Sequence, residues 1–211
     1  MSPLTSRIRL LERSEVAPEA AAIYDALIQR RGVVPNMFRV WAHVPALINL
    51  VAPLSWALLD DGTLTGRYKE LISIYVSRLA GCEYGCKAHE VQALRKGATA
   101  AEVGALTASK LDPEQGPFTP AERVGFAYAG RVWQSAAAVD DEFFETLRQH
   151  FTEAQIVELT ATVTALIFLT RFIDTLRIPT TTPPKQAVGD LPRQAVSDQR
   201  SAFSHAGAPE G

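Results

Sequence analysis

Apolar residues along this chain recur at the three- and four-residue spacing of helix faces, with no alternating runs of the kind that mark strands. Ala20, Ile23, Tyr24, Leu27 and Ile28 outline a first helix, opened by Pro18 and closed by Gly32. Asn36 is a candidate cap for a short helix through His43. Pro45 opens another helix, which runs to about Asp60 with Pro53 inside it. Thr65 caps a predicted helix over 66–80. Its Leu71, Ile72, Ile74, Tyr75, Val76 and Leu79 cover so much of its surface that it is expected to be central and buried. Gly81 breaks it, and the next helix runs from near Cys82 to Gly97.

Three boxes of the form S/T-x-x-E/Q follow, Thr99 with Glu102, Thr119 with Glu122 and Thr152 with Gln155. They start predicted helices of about 99–108, 119–137 and 152–176, with a further one near 140–150. Pro113, Gly116 and Pro117 make 111–118 a connecting loop. The fold class is therefore all-α. After Pro179 the composition shifts to Thr, Pro, Gln, Ala, Ser and Gly. Residues 1–179 read as one helical domain, and 180–211 as an irregular tail or a subunit-crossing arm.

Composition narrows the function classes. The 211 residues carry a formal net charge of -2, so no basic field suits a phosphate backbone and no nucleic-acid partner is expected. The apolar stretches 48–59 and 161–169 are too short or too interrupted to span a bilayer, and residues 1–15 lack a signal-type apolar run. A cytoplasmic location with no membrane partner is the expectation. No nucleotide-binding glycine signature appears, so no cofactor is expected.

The chain has two cysteines, Cys82 and Cys86, and His89 follows three residues after the second. On a helix all three fall within about 60° around the axis, so both thiols and the imidazole share one stripe. Cys82 at a helix start lies beside unsatisfied N–H groups, which favour thiolate. His89, one turn beyond Cys86, can exchange protons with that thiol or with a substrate. Glu70 on the preceding helix can orient it. Arg171 and Asp174, spaced i,i+3, suggest a structural ion pair. Cys82, Cys86, His89 and Glu70 could ligate a zinc-type ion. That spacing is not a usual zinc pattern and no second Cys/His pair exists, so no metal is expected.

Glu70, Cys82, Tyr84 and His89 resemble the motif E-x11-C-x-x-C-x-x-x-H of the carboxymuconolactone decarboxylase / alkylhydroperoxidase-D-like family. The flanking stretches 32–38 and 43–47, with Gly97 and Ala101-Glu102-Val103 downstream, are similar as well, so the resemblance spans about 15–179. It implies an antiparallel helical bundle around the motif helix and a homo-oligomer, trimer or hexamer. It also implies catalysis by Glu70, Cys82, Cys86 and His89 on a small-molecule substrate, with His43 and Tyr84 lining the same cavity. One departure stands out: the motif's second cysteine falls at position 85, which is Gly85 here, and the second thiol comes one residue later. An i,i+4 pair has Cα atoms about 6 Å apart, near the upper end of what a disulfide accepts. Closure would need local unwinding and would give a readily reduced link.

Three functions fit these residues. A thiol-dependent peroxidase or disulfide reductase would use Cys86 as nucleophile and Cys82 as resolving thiol, with His89 and Glu70 as proton relay and an external dithiol as reductant. A cofactor-free lyase, decarboxylase or isomerase would use His89 as general acid/base. A non-catalytic member would only bind a small ligand.

Overall fold

The computed structural model describes residues 6–108 and 111–181. The proposed tail therefore lies, from residue 182 onward, outside the described residues, as does His205. Among the described residues there is no strand. The described residues form nine α-helices in order: α1 Pro18–Arg31, α2 Asn36–Trp41, α3 Pro45–Leu59, α4 Gly66–Ala80, α5 Glu83–Arg95, α6 Ala100–Thr107, α7 Pro120–Gln134, α8 Asp141–Arg148 and α9 Glu153–Leu176. Short 3-10 turns at Pro113–Gln115 and Ala136–Ala138 sit either side of α7.

The predicted starts hold in detail. Thr65 Oγ1 accepts from the Tyr68 N–H, and all three boxes at Thr99, Thr119 and Thr152 close reciprocally with the side chain three residues on. Two boundaries differ from the sequence reading. Asn36 does not cap α2; Pro35 holds that position, and the Asn36 amide instead donates to the carbonyls of Pro179 and Thr180. α7 stops at Gln134, where Ser135 turns extended. The Arg131 guanidinium then closes the next turn by donating to the Ala138 carbonyl at 2.9 Å.

α4 is the axis of the fold, buried without a break from Tyr68 to Ser77, and it packs against α3, α5, α6, α7 and α9. Two hydrophobic cores meet along the α4–α5 hairpin. One gathers Leu71, Ile72, Ile74, Phe126, Leu159 and Val163; the other holds Tyr24, Phe38, Trp41, Ile48, Cys82 and Ile173. α9 is 24 residues long with a mean hydropathy of 1.8 over its most apolar window, enough by length and composition to cross a membrane. Its apolar run is thus longer than the stretch 161–169 suggested. Its packing covers one face: Ile156, Leu159, Val163, Leu166 and Ile173 are buried, and Glu158 on the same helix meets a charge on α4.

That charge is Lys69, with no exposure to solvent. Its ammonium donates to Glu158, whose carboxylate also accepts from the Leu64 N–H at 2.9 Å and from the Thr63 hydroxyl. Burial works against the Glu158 charge, yet these donors hold its carboxyl at about 2, below the ordinary 4.5. A carboxyl depressed on folding contributes stability that is complete above its unfolded pKa and fades as pH falls through the folded value. Chemical unfolding is therefore expected to show stability declining between about pH 5 and pH 2. Glu158→Gln at pH 7 should cost about 3 kcal/mol, because Lys69 is left buried and unpaired. Adding Lys69→Met should recover most of that loss; no loss for Glu158→Gln alone would refute the role of the pair.

Candidate functional site

Gly81 turns the chain between α4 and α5 in the left-handed conformation (φ 68°), and the Cys82 N–H bonds the Ser77 carbonyl at 2.9 Å. The two helices run back against each other, which brings position 70 beside positions 89 and 96. Glu70 has no exposure to solvent. Its Oε2 lies 2.7 Å from His89 Nδ1 and its Oε1 accepts from Lys96 Nζ at 2.8 Å; Lys96 also donates to the Leu59 carbonyl at 2.6 Å. Burial pushes the Glu70 carboxyl up, and hydrogen bonds and charge from His89 and Lys96 bring it back below its ordinary value. With Glu70 ionised, Nδ1 carries the proton, and His89 Nε2 makes no hydrogen bond among the described residues.

The two thiols differ from the expectation at the helix start. Cys82 is the residue before α5 and is completely buried. Burial pushes its thiol up to about 12; the Gly85 N–H opposes this weakly, and the neighbouring Asp174 carboxylate adds to it. Cys86 is half-buried, and burial followed by the charge of Glu90 pushes it up to about 11, against the pull of Arg78. A helix start is worth at most about 1–2 kcal/mol to an anion, and desolvation outweighs it here. Both cysteines are free.

Tyr84 and His43, the two residues expected to line the cavity, have bonding partners of their own. Tyr84 sits about 200° around α5 from Cys82. Its hydroxyl accepts from the Met37 N–H at 3.1 Å and shares a bond with Thr181 Oγ1 at 3.2 Å, so it braces α2 and residue 181 against α5. His43 is exposed, with Nε2 2.8 Å from the Arg9 carbonyl. The Arg171–Asp174 ion pair does not form among the described residues: the Arg171 guanidinium lies 5.0 Å over the Trp133 ring, and Asp174 faces Cys82. Glu70, His89 and the thiols do share the hairpin. Lys96 and Asp174 were not anticipated. Lys96 had a signal, because helices folding back at Gly81–Cys82 put position 70 level with 93, midway between His89 and Lys96. Asp174, on α9, had none. Among the described residues no three His, Cys, Asp or Glu side chains converge as a metal centre requires.

Position 85 is constrained by its neighbour. A Cβ on Gly85 would stand 2.3 Å from Ser77 Oγ, 3.0 Å from Ser77 Cβ and 3.7 Å from Cys82 Sγ. Ser77 itself is buried, and its hydroxyl has no hydrogen-bond partner among the described residues. The side chain that the motif expects at 85 is thus displaced by the Ser77 hydroxyl.

A helical hairpin with a buried Glu–His pair beside two cysteines defines a protein of the alkylhydroperoxidase-D-like fold. Residues 45–130 match the model of the carboxymuconolactone decarboxylase family. It is similar in structure to an uncharacterized peroxidase-related protein from Ralstonia eutropha JMP134 described as an alkylhydroperoxidase AhpD core. The TM-score is 0.76 at 22% identity, covering 86% of this chain and 94% of the other. A peroxidase-related protein from Silicibacter sp. TM1040 gives 0.75 at 18% identity, covering 90% and 96%. A cysteine-to-alanine variant of the debrominase Bmp8, in complex with 2,3,4-tribromopyrrole, gives 0.72 at 21% identity, covering 88% and 99%. At these identities the likeness establishes the fold. No curated protein matches the sequence.

The contact at position 85 is directly testable. Gly85→Ala should destabilise the protein by about 1–3 kcal/mol through overpacking, and Ser77→Ala in the same chain should recover part of the loss. Equal stability of parent and Gly85→Ala in chemical unfolding would contradict the close approach.

Proposed function

We propose that this protein is a thiol-dependent oxidoreductase acting on a small electrophilic substrate, an organic hydroperoxide or a disulfide. In this reading Cys86 is the attacking thiol, His89 with Glu70 is its proton relay, and Cys82 is the resolving thiol. The observation that carries it is the 2.7 Å contact between His89 Nδ1 and the buried Glu70 carboxylate. That contact fixes the ring and leaves Nε2 to exchange protons one turn from Cys86. Because both thiols are held protonated by burial, a base must remove the proton during reaction. The debrominase complex supports a cysteine-centred reading, since it pairs a cysteine-to-alanine variant of this fold with a small molecule, 2,3,4-tribromopyrrole. An external dithiol would return the oxidised pair to thiols.

Self-association belongs to the same proposal. Leu47, Leu50 and Leu54 expose one stripe of α3, and Val157 and Phe168 expose one stripe of α9. A second copy of this chain is the occupant proposed for these stripes.

A second reading keeps His89 as general acid/base of a cofactor-free lyase. It is favoured by the raised thiols and by Ser77 filling the place of a cysteine at 85.

Counting free thiols by alkylation and intact mass, before and after a brief pulse of cumene hydroperoxide, separates the two. The oxidoreductase reading expects rapid loss of both thiols, reversed by dithiothreitol. It also expects no reaction of the peroxide with Cys86→Ser, and a rate lowered about 10²–10⁴-fold in His89→Gln. Thiols that survive the pulse would sink that reading and turn the search to proton transfer at His89.

A further inference from the structure

Of the glutamates withdrawn from solvent, four meet a cation: Glu70 pairs with Lys96 and His89, Glu102 and Glu122 with Arg67, and Glu158 with Lys69. Glu90 is the exception. It is half-buried on α5, one turn beyond Cys86 and next to His89, and it makes no hydrogen bond or ion pair among the described residues. Its carboxyl lies within electrostatic reach of Cys86 as well as of Lys87 and Arg78.

We infer that Glu90 is the general acid of the Cys86 reaction, giving its proton to the oxygen that leaves when a hydroperoxide is cleaved. The inference rests on the oxidoreductase reading proposed above. Cys86 first loses its proton to His89 Nε2. The sulfur then attacks the terminal oxygen of ROOH, an S–O bond forms and the O–O bond breaks. Sulfur is oxidised by two electrons to the sulfenic acid, and the peroxide is reduced. The departing alkoxide takes the Glu90 proton and leaves as ROH, and Glu90 regains a proton from solvent. The sulfenic acid then condenses with Cys82, or with an external thiol, releasing water.

Two acids one turn apart in a partly desolvated place do not readily ionise together. Ionised Glu90 disfavours the Cys86 thiolate, and burial raises the Glu90 carboxyl above its ordinary value. Protonation of Glu90 removes a charge that disfavours the Cys86 thiolate. The other charges around this pair are Arg78 from α4 and Glu83, Lys87 and His89 on α5; the one charged side chain of α6, Glu102, is bound to Arg67.

The test uses leaving groups of different basicity. The rate of Cys86 oxidation is followed by sulfenate trapping, with tert-butyl hydroperoxide, whose alkoxide needs a proton, and with peroxybenzoic acid, whose carboxylate does not. Glu90→Gln should slow the first reaction about 100-fold and the second less than about 3-fold. It should also shift the pH profile of Cys86 alkylation to lower pH. Equal slowing of both peroxides, or slowing of neither, overturns the role of Glu90 while the thiol reading stands. If neither peroxide oxidises Cys86 in the unaltered protein, the thiol reading itself has failed and the assignment of Glu90 falls with it.

Discussion

A carboxylate with no access to water, that of Glu70, is the constraint around which the rest of this structure is arranged. Moving such a group out of water costs several kcal/mol unless charge and hydrogen bonds replace the solvent. Here both oxygens are met, one by His89 at 2.7 Å and the other by Lys96 at 2.8 Å, from positions two turns apart on one side of the hairpin. Lys96 also holds the last carbonyl of α3, at Leu59. One buried charge therefore sets the register of α4 against α5 and fastens the end of α3 to both. Cys86 and Glu90 take their places as consequences of that register.

The neighbouring charges on α4 show how a helix buried through most of its length can still carry ions. Arg67, Lys69 and Glu70 leave the axis in different directions and each meets a different element. Arg67 reaches Glu102 of α6 and Glu122 of α7, Lys69 reaches Glu158 of α9, and Glu70 reaches α5. Glu102 and Glu122 are also the glutamates that close the capping boxes at Thr99 and Thr119. Each thus completes a helix start and anchors that start to the central helix. Apolar packing brings the helices together, and these pairs select one arrangement from the many that apolar surfaces tolerate.

Much of this was readable from local spacing. The Thr65 cap, the three boxes and the break at Gly81 are satisfied within a few residues, so nothing distant could override them. The Glu70–His89 pairing was likewise expressed in the motif. Lys69 with Glu158, 89 residues away, was not, because the partner is chosen by how α9 crosses α4. The resemblance implied a cavity role for Tyr84 and His43; what each bonds, the Met37 N–H and Thr181 for Tyr84 and the Arg9 carbonyl for His43, is set by tertiary packing that residue spacing does not encode. The Cys82 thiolate was expected from its place at a helix start. That effect is real but short-ranged and small, and complete burial outweighs it. The crowding of Gly85 by Ser77 depends on how closely two backbones approach, which residue spacing does not encode.

The resting thiols and the Glu70 network constrain each other. A thiol held protonated by burial must be ionised at the moment of reaction, and the proton must go to a group that can accept it without leaving a new charge unbalanced. When His89 is neutral, its Nδ1–H donates to Glu70, and Lys96 remains as counter-ion for the carboxylate. When His89 takes a second proton at Nε2, the same carboxylate faces the new cation. Lys96 thus keeps Glu70 ionised in both states, so the imidazole can cycle without stranding a buried charge in either. A Glu–His pair with no permanent cation would lack this tolerance, because the neutral imidazole would leave the carboxylate stabilised by a single neutral hydrogen bond. In the proposed relay Lys96 is in this sense as much a part as the two residues that the motif displays, although it need never approach a substrate.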